Sequence, residues 1–312
     1  MLYCYYNPTK ASIKIYYFPW EETGEKITQR FISYILYKID KIRYSPSDLR
    51  STNNDSPIPQ EIIDKLKESP YKELLEYYES VFTFSPVSNP TGVYKACAKY
   101  ARDNGTVYTK EVDYNDKPVF DYYVPNDPNE FRIACIDHLA LVSEESGMNK
   151  KQTIDKLSEY LSVELRNKFG FTTILIQQQS AEVESNDSFK LGRIRPGVNT
   201  LGDSKYPGRD VNIMLGLFSP FKFGLPEYLE YDITKFKDRI RFLEVCLNRD
   251  GEVGGIIALY FDGATCTFHE LPPPSDKAGL EKVYKMLEKQ EDEKKKSLSL
   301  FIRSFIKKLF NG

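Results

Sequence analysis

Several kinds of residue and pattern are scarce or missing in this chain, and each shortage removes a class of function. There are 2 histidines, His138 and His269, in 312 residues. That argues against a zinc site and against a histidine-based nucleophilic triad. The 5 cysteines, Cys4, Cys97, Cys135, Cys246 and Cys266, form no Cys-x-x-Cys pair. Three of them lie in apolar strand-like runs, so the cysteines read as reduced, buried small hydrophobes of a cytosolic protein. No apolar run reaches the roughly 18 residues that a membrane span needs, and the opening MLYCYYNPTK lacks a signal-peptide core. A formal net charge of −2 leaves no global basic field to attract nucleic acid. Such binding would need a local patch. No internal repeat is found.

With 41% hydrophobic residues, the chain has ample material for one large or two small cores. Its organising stretch is Phe131 to Ser180. Ile133 to Asp137 is a short apolar run ending in an acid, and Thr172 to Ile176 is a β-branched run followed by three glutamines. Both read as buried parallel strands. Between them, Ile154, Leu157, Leu161 and Leu165 recur at helical spacing, which predicts one amphipathic helix over Lys150 to Phe169. Strand, helix, strand makes a right-handed parallel unit, and ligands bind such sheets beyond the carboxyl ends of the strands. Asp137 and Gln178 sit at those ends. An acid closing an apolar strand is how nucleotide hydrolases hold magnesium. It can equally cap a loop or helix.

Ile13 to Phe18 reads as a strong strand, and Thr23 as the N-cap of the helix after it. Ser45 to Pro59 is a polar connection, Ile62 to Tyr78 a second helix, Val81 to Phe84 a short strand and Thr91 to Arg102 a third helix. Residues 106–123 alternate about Asn115–Pro118 and predict a hairpin inserted at the sheet edge. Glu182 to Asn199 is polar and carries Lys190, Arg193 and Arg195 close together, so it reads as a mobile basic loop. Asp210 to Phe218 predicts a further buried strand in the parallel sheet. Antiparallel strands follow from Ile240, with a tight turn at Asp250-Gly251 and a hairpin about Asp262-Gly263. Residues 1–274 form the expected core, closed by Pro272-Pro273-Pro274. Residues 275–312 form a charged tail, amphipathic from Leu298 to Phe310, suited to docking on protein or on a membrane surface.

Four blocks in order resemble the RecA-like motor domain of DnaB-type replicative DNA helicases, particularly phage versions: IYYFPWEETGEKITQRF, ACIDHLALV, TILIQQQS and LEVCLNRDGEVGGIIALYFDGATCTFHEL. Between the last two, NTLGDSKYPGRDVNIML resembles a further family segment. The resemblance runs from about Ile13 to Leu271. It implies an α/β RecA-like P-loop NTPase core, with a mostly parallel sheet and antiparallel C-terminal strands, and ATP-driven unwinding of duplex DNA by translocation on single-stranded DNA. The implied cofactors are ATP and Mg²⁺. The implied partners are single-stranded DNA, further copies in a hexamer, and a primase or helicase loader. The cytoplasm, that of a bacterial host, is the implied location.

The resemblance also assigns roles. Glu21 is the catalytic base, Asp137 the magnesium-holding acid, Gln178 the sensor of the γ-phosphate, and Arg249 a finger reaching a neighbouring subunit's nucleotide. Arg30 matches the family's helix arginine. Lys190, Arg193 and Arg195 fall where the family's loops contact DNA. Glu21 read alone is also a helix N-terminal acid, a role Glu22 fits better. Gln178 could be a satisfied strand-end amide, Arg249 a surface turn arginine, and the basic trio a solvated loop.

Two departures stand out. Leu247 replaces the lysine usual two residues before the finger. The phosphate-cradling Gly-x-x-x-x-Gly-Lys-Ser/Thr loop occurs nowhere in the chain. The expectation is therefore a motor domain truncated before the helix preceding Ile13, without its first strand, P-loop and primase-interaction domain, and inactive unless another chain supplies the loop. The alternative is a non-catalytic nucleic-acid-binding or assembly protein that retains the RecA-like fold.

Overall fold

The β-branched and aromatic run after a short helix α1 (Leu2–Tyr6) forms β1 (Ser12–Pro19), and the first sheet is built around it. The computed structural model describes residues 1–50, 58–112, 115–185, 188, 194–202 and 204–290. The Thr23 hydroxyl accepts from the Lys26 amide and caps α2 (Gly24–Asp40). There follow α3 (Gln60–Leu66), α4 (Tyr71–Val81), β2 (Phe82–Phe84), α5 (Pro90–Asp103), β3 (Gly105–Val112), β4 (Asn115–Pro125) and β5 (Glu130–Asp137). Next come α6 (Lys150–Glu159), running on as a π-helix over Tyr160–Lys168, and β6 (Phe171–Leu175). β2, β1, β5 and β6 pair in that order and all in parallel.

The predicted helical spacing places Ile154, Leu157, Leu161 and Leu165 inside one core cluster with Phe18 and Ile136 of the sheet and Val93 and Ala98 of α5. A second cluster packs Ile35 and Leu36 of α2 against Ile62 of α3 and Tyr71 of α4. The helices α5 and α6 therefore close over β1 and β5 by apolar burial, worth about 25 cal/mol per Å² removed from water.

Glu145 pins these two helices. Its carboxylate accepts from the Thr91 amide (2.7 Å) and hydroxyl (3.1 Å) at the start of α5, and from Lys156 Nζ of α6 (2.5 Å). Burial pushes the Glu145 carboxyl up, but the Lys156 ammonium and the Thr91 donors outweigh it and hold the group below the ordinary range. A depressed carboxyl stabilises the fold fully above its unfolded pKa, near ~4.3. That contribution is lost as pH falls through the lower folded value. Glu145→Gln should therefore destabilise the chain by about 1.5–3 kcal/mol at neutral pH, the worth of hydrogen bonds to a charged group. In urea titrations that gap should close below about pH 4.

The remaining strands are β7 (Ile213–Phe218), β8 (Glu227–Tyr228), β9 (Tyr231–Asp232), β10 (Ile240–Asn248), β11 (Ile256–Asp262) and β12 (Thr267–Glu270). The second sheet has the order β12-β11-β10-β7, and β10 with β11 and β11 with β12 are antiparallel. Two compact units result. The first is Met1–Met214 with Cys246–Gly251 and Ala264–Cys266, and the second takes the other described residues. Within the second unit, Tyr228 and Tyr231 pack edge-on against Phe242, and Phe236 meets Tyr284. Tyr284 belongs to a helix over 277–290 that buries Leu280 and Leu287. The amphipathic stretch Leu298 to Phe310 lies outside the described residues.

The expected elements form, with corrections. The helix predicted over Ile62 to Tyr78 is two helices, because Pro70 cannot continue the first one's hydrogen bonding. The hairpin of residues 106–123 forms, but as its own two-stranded sheet rather than at the edge of the parallel one. The pairing of Val112 with Asn115 sets its reversal before Asn115–Pro118. The strand expected from Asp210 starts at Ile213 and bonds to β10, so it does not extend the parallel sheet. β6 is an edge strand, and Ile174 is 44% exposed where a buried run was expected.

Candidate functional site

Strand register creates the site. β1 and β5 run in step from Ser12↔Glu130 to Pro19↔Asp137, so both chains leave the sheet at the same level of its carboxyl edge. The Trp20 amide donates to the Asp137 carbonyl at 2.7 Å and the Glu21 amide donates to the same oxygen at 3.3 Å. The Trp20 indole N–H donates to the Val87 carbonyl, 2.8 Å, and anchors this exit loop. Glu21 is thereby fixed by backbone bonds beside the end of β5, with its side chain 55% exposed. Its neighbour Glu22 instead pairs with Arg30 of α2 at 2.5 Å.

Gln178 joins through side-chain alternation. Gln177 donates to the Gly202 and Ser204 carbonyls, and Gln179 donates to Thr200 Oγ1 at 3.3 Å. Successive residues of an extended chain point to opposite sides, so Gln178 is the glutamine left for the sheet's carboxyl edge. Its Nε2 lies 3.5 Å from His138 Nε2, and that nitrogen lies 3.6 Å from Glu21 Oε2. His138 is buried, and its Nδ1 has no hydrogen-bond partner. Glu21, Asp137 and Gln178 are thus brought to one edge, with His138 between Glu21 and Gln178.

Asp137 is held by Tyr17, whose hydroxyl donates to Oδ2 at 2.7 Å. Burial, then the bond to Asp137, drives the Tyr17 pKa well above the ordinary tyrosine value, so Tyr17 stays a neutral donor. Burial, with a smaller contribution from Asp137, pushes the Cys135 thiol up to about 12. Burial also takes Cys97 up to about 12. Neither thiol is a nucleophile at neutral pH. Sequence reasoning missed Tyr17 and His138. The Tyr17 contact follows from the β1–β5 register, which no single run of residues specifies.

The other expected residues lie apart. Arg249 follows β10. Its amide donates to the Asn212 carbonyl at 2.9 Å, its Nε donates to the Val211 carbonyl at 2.9 Å, and its Nη2 donates to the Arg209 carbonyl. Of the basic trio, Arg195 is exposed, next to Pro196, whose carbonyl accepts from Cys246 Sγ at 3.4 Å. Lys190 and Arg193 lie outside the described residues, as do residues 186, 187, 189, 191 and 192 of the predicted mobile loop.

A single acid on a strand end suits a magnesium ion held through water and completed by phosphate oxygens. It does not suit an all-protein cage, and among the described residues no cluster of three or more His, Cys, Asp or Glu could form one. Nor does the chain contain a Gly-x-x-x-x-Gly-Lys-Ser/Thr segment to receive the phosphates. These residues alone do not fit a complete ATP·Mg²⁺ site. Among the described residues no helix is long and apolar enough to cross a membrane.

No protein-family model matches this sequence, and no curated protein does. Among solved structures, the fold is similar to a DnaB-like replicative helicase studied for its interactions with primase. The TM-score is 0.56 at 15% identity, and the match covers 85% of this chain and 52% of that one. The chain thus spans about half the length of that helicase, and it shares with it a mixed α/β fold with a mostly parallel sheet.

Proposed function

We propose that this chain is the Asp137- and Arg249-bearing part of a DnaB-type, ATP-driven DNA helicase motor that assembles as a ring on single-stranded DNA. The observation that carries this reading is the convergence of Glu21, Asp137 and Gln178 on the carboxyl edge of adjacent parallel strands, in a fold similar to a DnaB-like helicase. Bound ATP·Mg²⁺ would supply the phosphoryl group and its charge-neutralising metal. This chain would contribute the Glu21 carboxylate to orient water, the Asp137 carboxylate, the Gln178 amide, and Arg249 toward a neighbouring subunit. The phosphate loop comes from outside these residues. The amphipathic stretch Leu298 to Phe310 would dock on a protein partner, and a primase or a loader is the class of partner that fits.

The absent phosphate cradle favours one second reading, a non-catalytic DNA-binding or assembly protein on the same fold. The two separate in one assay. The chain alone should hydrolyse ATP at background level. Added to a polypeptide carrying the Gly-x-x-x-x-Gly-Lys-Ser/Thr segment, it should restore DNA-stimulated turnover. DNA binding with no turnover in the mixture would establish the second reading instead.

The basic loop has its own readout. Neutralising Lys190, Arg193 and Arg195 together should flatten the salt dependence of single-strand binding, by about 0.7 in slope for each phosphate no longer neutralised. An unchanged slope in a salt titration would show that the trio is only solvated.

A further inference from the structure

His138 follows Asp137 at the end of β5, and backbone bonds fix where its ring starts. The Leu139 amide donates to the Ile176 carbonyl at 2.9 Å, and the His138 carbonyl accepts from the Leu141 amide at 3.1 Å. The segment after β6 is thereby tied beside the segment after β5. The imidazole is buried, at 6% exposure, while Glu21 and Gln178 on either side of it are exposed. A ligand at this edge can meet those two side chains but not the ring between them. Whatever His138 does for such a ligand, it does through its neighbours.

Both neighbours address the same atom. Gln178 Nε2 lies 3.5 Å from His138 Nε2, and Glu21 Oε2 lies 3.6 Å from it. A neutral imidazole carries one ring proton. If Nε2 holds that proton, it can donate to the Glu21 carboxylate but cannot accept from the Gln178 amide. If Nδ1 holds it, Nε2 presents a lone pair to Gln178 and cannot donate to Glu21. Nδ1 has no partner among the described residues in either form, so the contest at Nε2 moves the balance. Both separations exceed the roughly 2.7–3.2 Å of a closed hydrogen bond. A shift of about half an ångström by either side chain decides which bond closes.

We infer that His138 is a positioning residue that couples Gln178 to Glu21 through this one nitrogen, so that only one of the two is held at a time. When Gln178 turns to another acceptor, the Nδ1–H bond breaks and an Nε2–H bond forms, with solvent carrying the proton between them. No proton is gained or lost overall. Nε2 then holds the Glu21 carboxylate. The consequence for catalysis rests on the helicase reading above. There the other acceptor is a γ-phosphate oxygen, and engaging it would fix the carboxylate that orients water.

The test is nitrogen NMR on the full chain carrying isotopically labelled histidine, at about pH 8, above the ordinary histidine range. The chain has 2 histidines, so His269→Gln assigns both rings. The shifts of Nδ1 and Nε2 give the ratio of the two tautomers. Gln178→Met removes the donor and should raise the ratio of Nε2–H to Nδ1–H at His138 by at least about twofold, the worth of a weak hydrogen bond. Glu21→Ala removes the acceptor and should lower the ratio by at least about twofold. Both substitutions fall at exposed positions that the fold tolerates, and the His269 ratio should not move in either. In the mixture with the loop-bearing polypeptide, a non-hydrolysable ATP analogue with Mg²⁺ should shift the parent ratio in the same direction as Gln178→Met, and should shift the Gln178→Met variant no further. Partner variants that behave as expected, with no shift on adding nucleotide, would leave the coupling standing and overturn the helicase reading. A ratio that neither variant moves, or that both move in one direction, would overturn the coupling. So would a parent ring protonated on both nitrogens, which would hold Glu21 as a plain ion pair. In those cases His138 is a core histidine that only packs.

Discussion

Arg249→Ala should lower DNA-stimulated ATP hydrolysis of the reconstituted motor by about 10³–10⁵-fold, the worth of an arginine finger in related phosphoryl-transfer enzymes. DNA affinity should stay nearly unchanged. The side chain is turned back on its own chain, bound to the Val211 and Arg209 carbonyls. Magnitudes decide whether that matters. Releasing these two guanidinium hydrogen bonds at an exposed position, where water takes the place of the carbonyls, costs about 1–3 kcal/mol. A rate factor of 10³–10⁵ corresponds to about 4–7 kcal/mol of transition-state stabilisation. The finger interaction therefore exceeds the cost of letting go, and the resting bonds act as a parking place for the guanidinium. Two measurements on the same variant separate this from a purely structural arginine. Loss of the resting bonds alone would lower the chain's unfolding free energy by about 1–3 kcal/mol and leave turnover per folded molecule at the parent level. That second outcome would remove Arg249 from the site.

Positions along the chain were more legible than neighbours across it. The apolar run ending at Asp137 fixed where β5 stops, and three consecutive glutamines located the strand-end amide. Both follow from local hydrophobic pattern, which a sequence displays directly. Pro70 was equally visible, and its power to end a helix should have split the segment from Ile62 to Tyr78. The exposure of Ile174 and Ile213 was not legible, because a buried strand and a strand at the end of a sheet can have the same composition. Tyr17 and His138 were missed for a related reason. Their contacts depend on a parallel register between segments about 120 residues apart. The return bonds of Arg249 likewise depend on where β10 ends relative to residues 209–212.

Asp137→Asn should reduce turnover of the reconstituted motor by at least about 10²-fold, the scale seen when one electrostatic group is removed from a preorganised site. Asparagine is the informative choice because of Tyr17. That phenol donates to Asp137 Oδ2, and its raised pKa keeps the proton on Tyr17 throughout the neutral range. An alanine would strand this part-buried donor, which costs about 1–3 kcal/mol, and would confuse misfolding with lost chemistry. The asparagine Oδ1 still accepts from Tyr17 and only the carboxylate charge disappears. Tyr17→Phe is the converse change, since it keeps the charge and removes the donor that aims it. If the charge acts on bound nucleotide, Asp137→Asn loses turnover while its urea midpoint stays close to the parent's. Tyr17→Phe then loses far less turnover. Equal losses in both variants, tracking equal losses of stability, would mean that the pair only ties β1 to β5. Asp137 would then be a structural end-cap of the strand, the plainer reading its sequence always allowed.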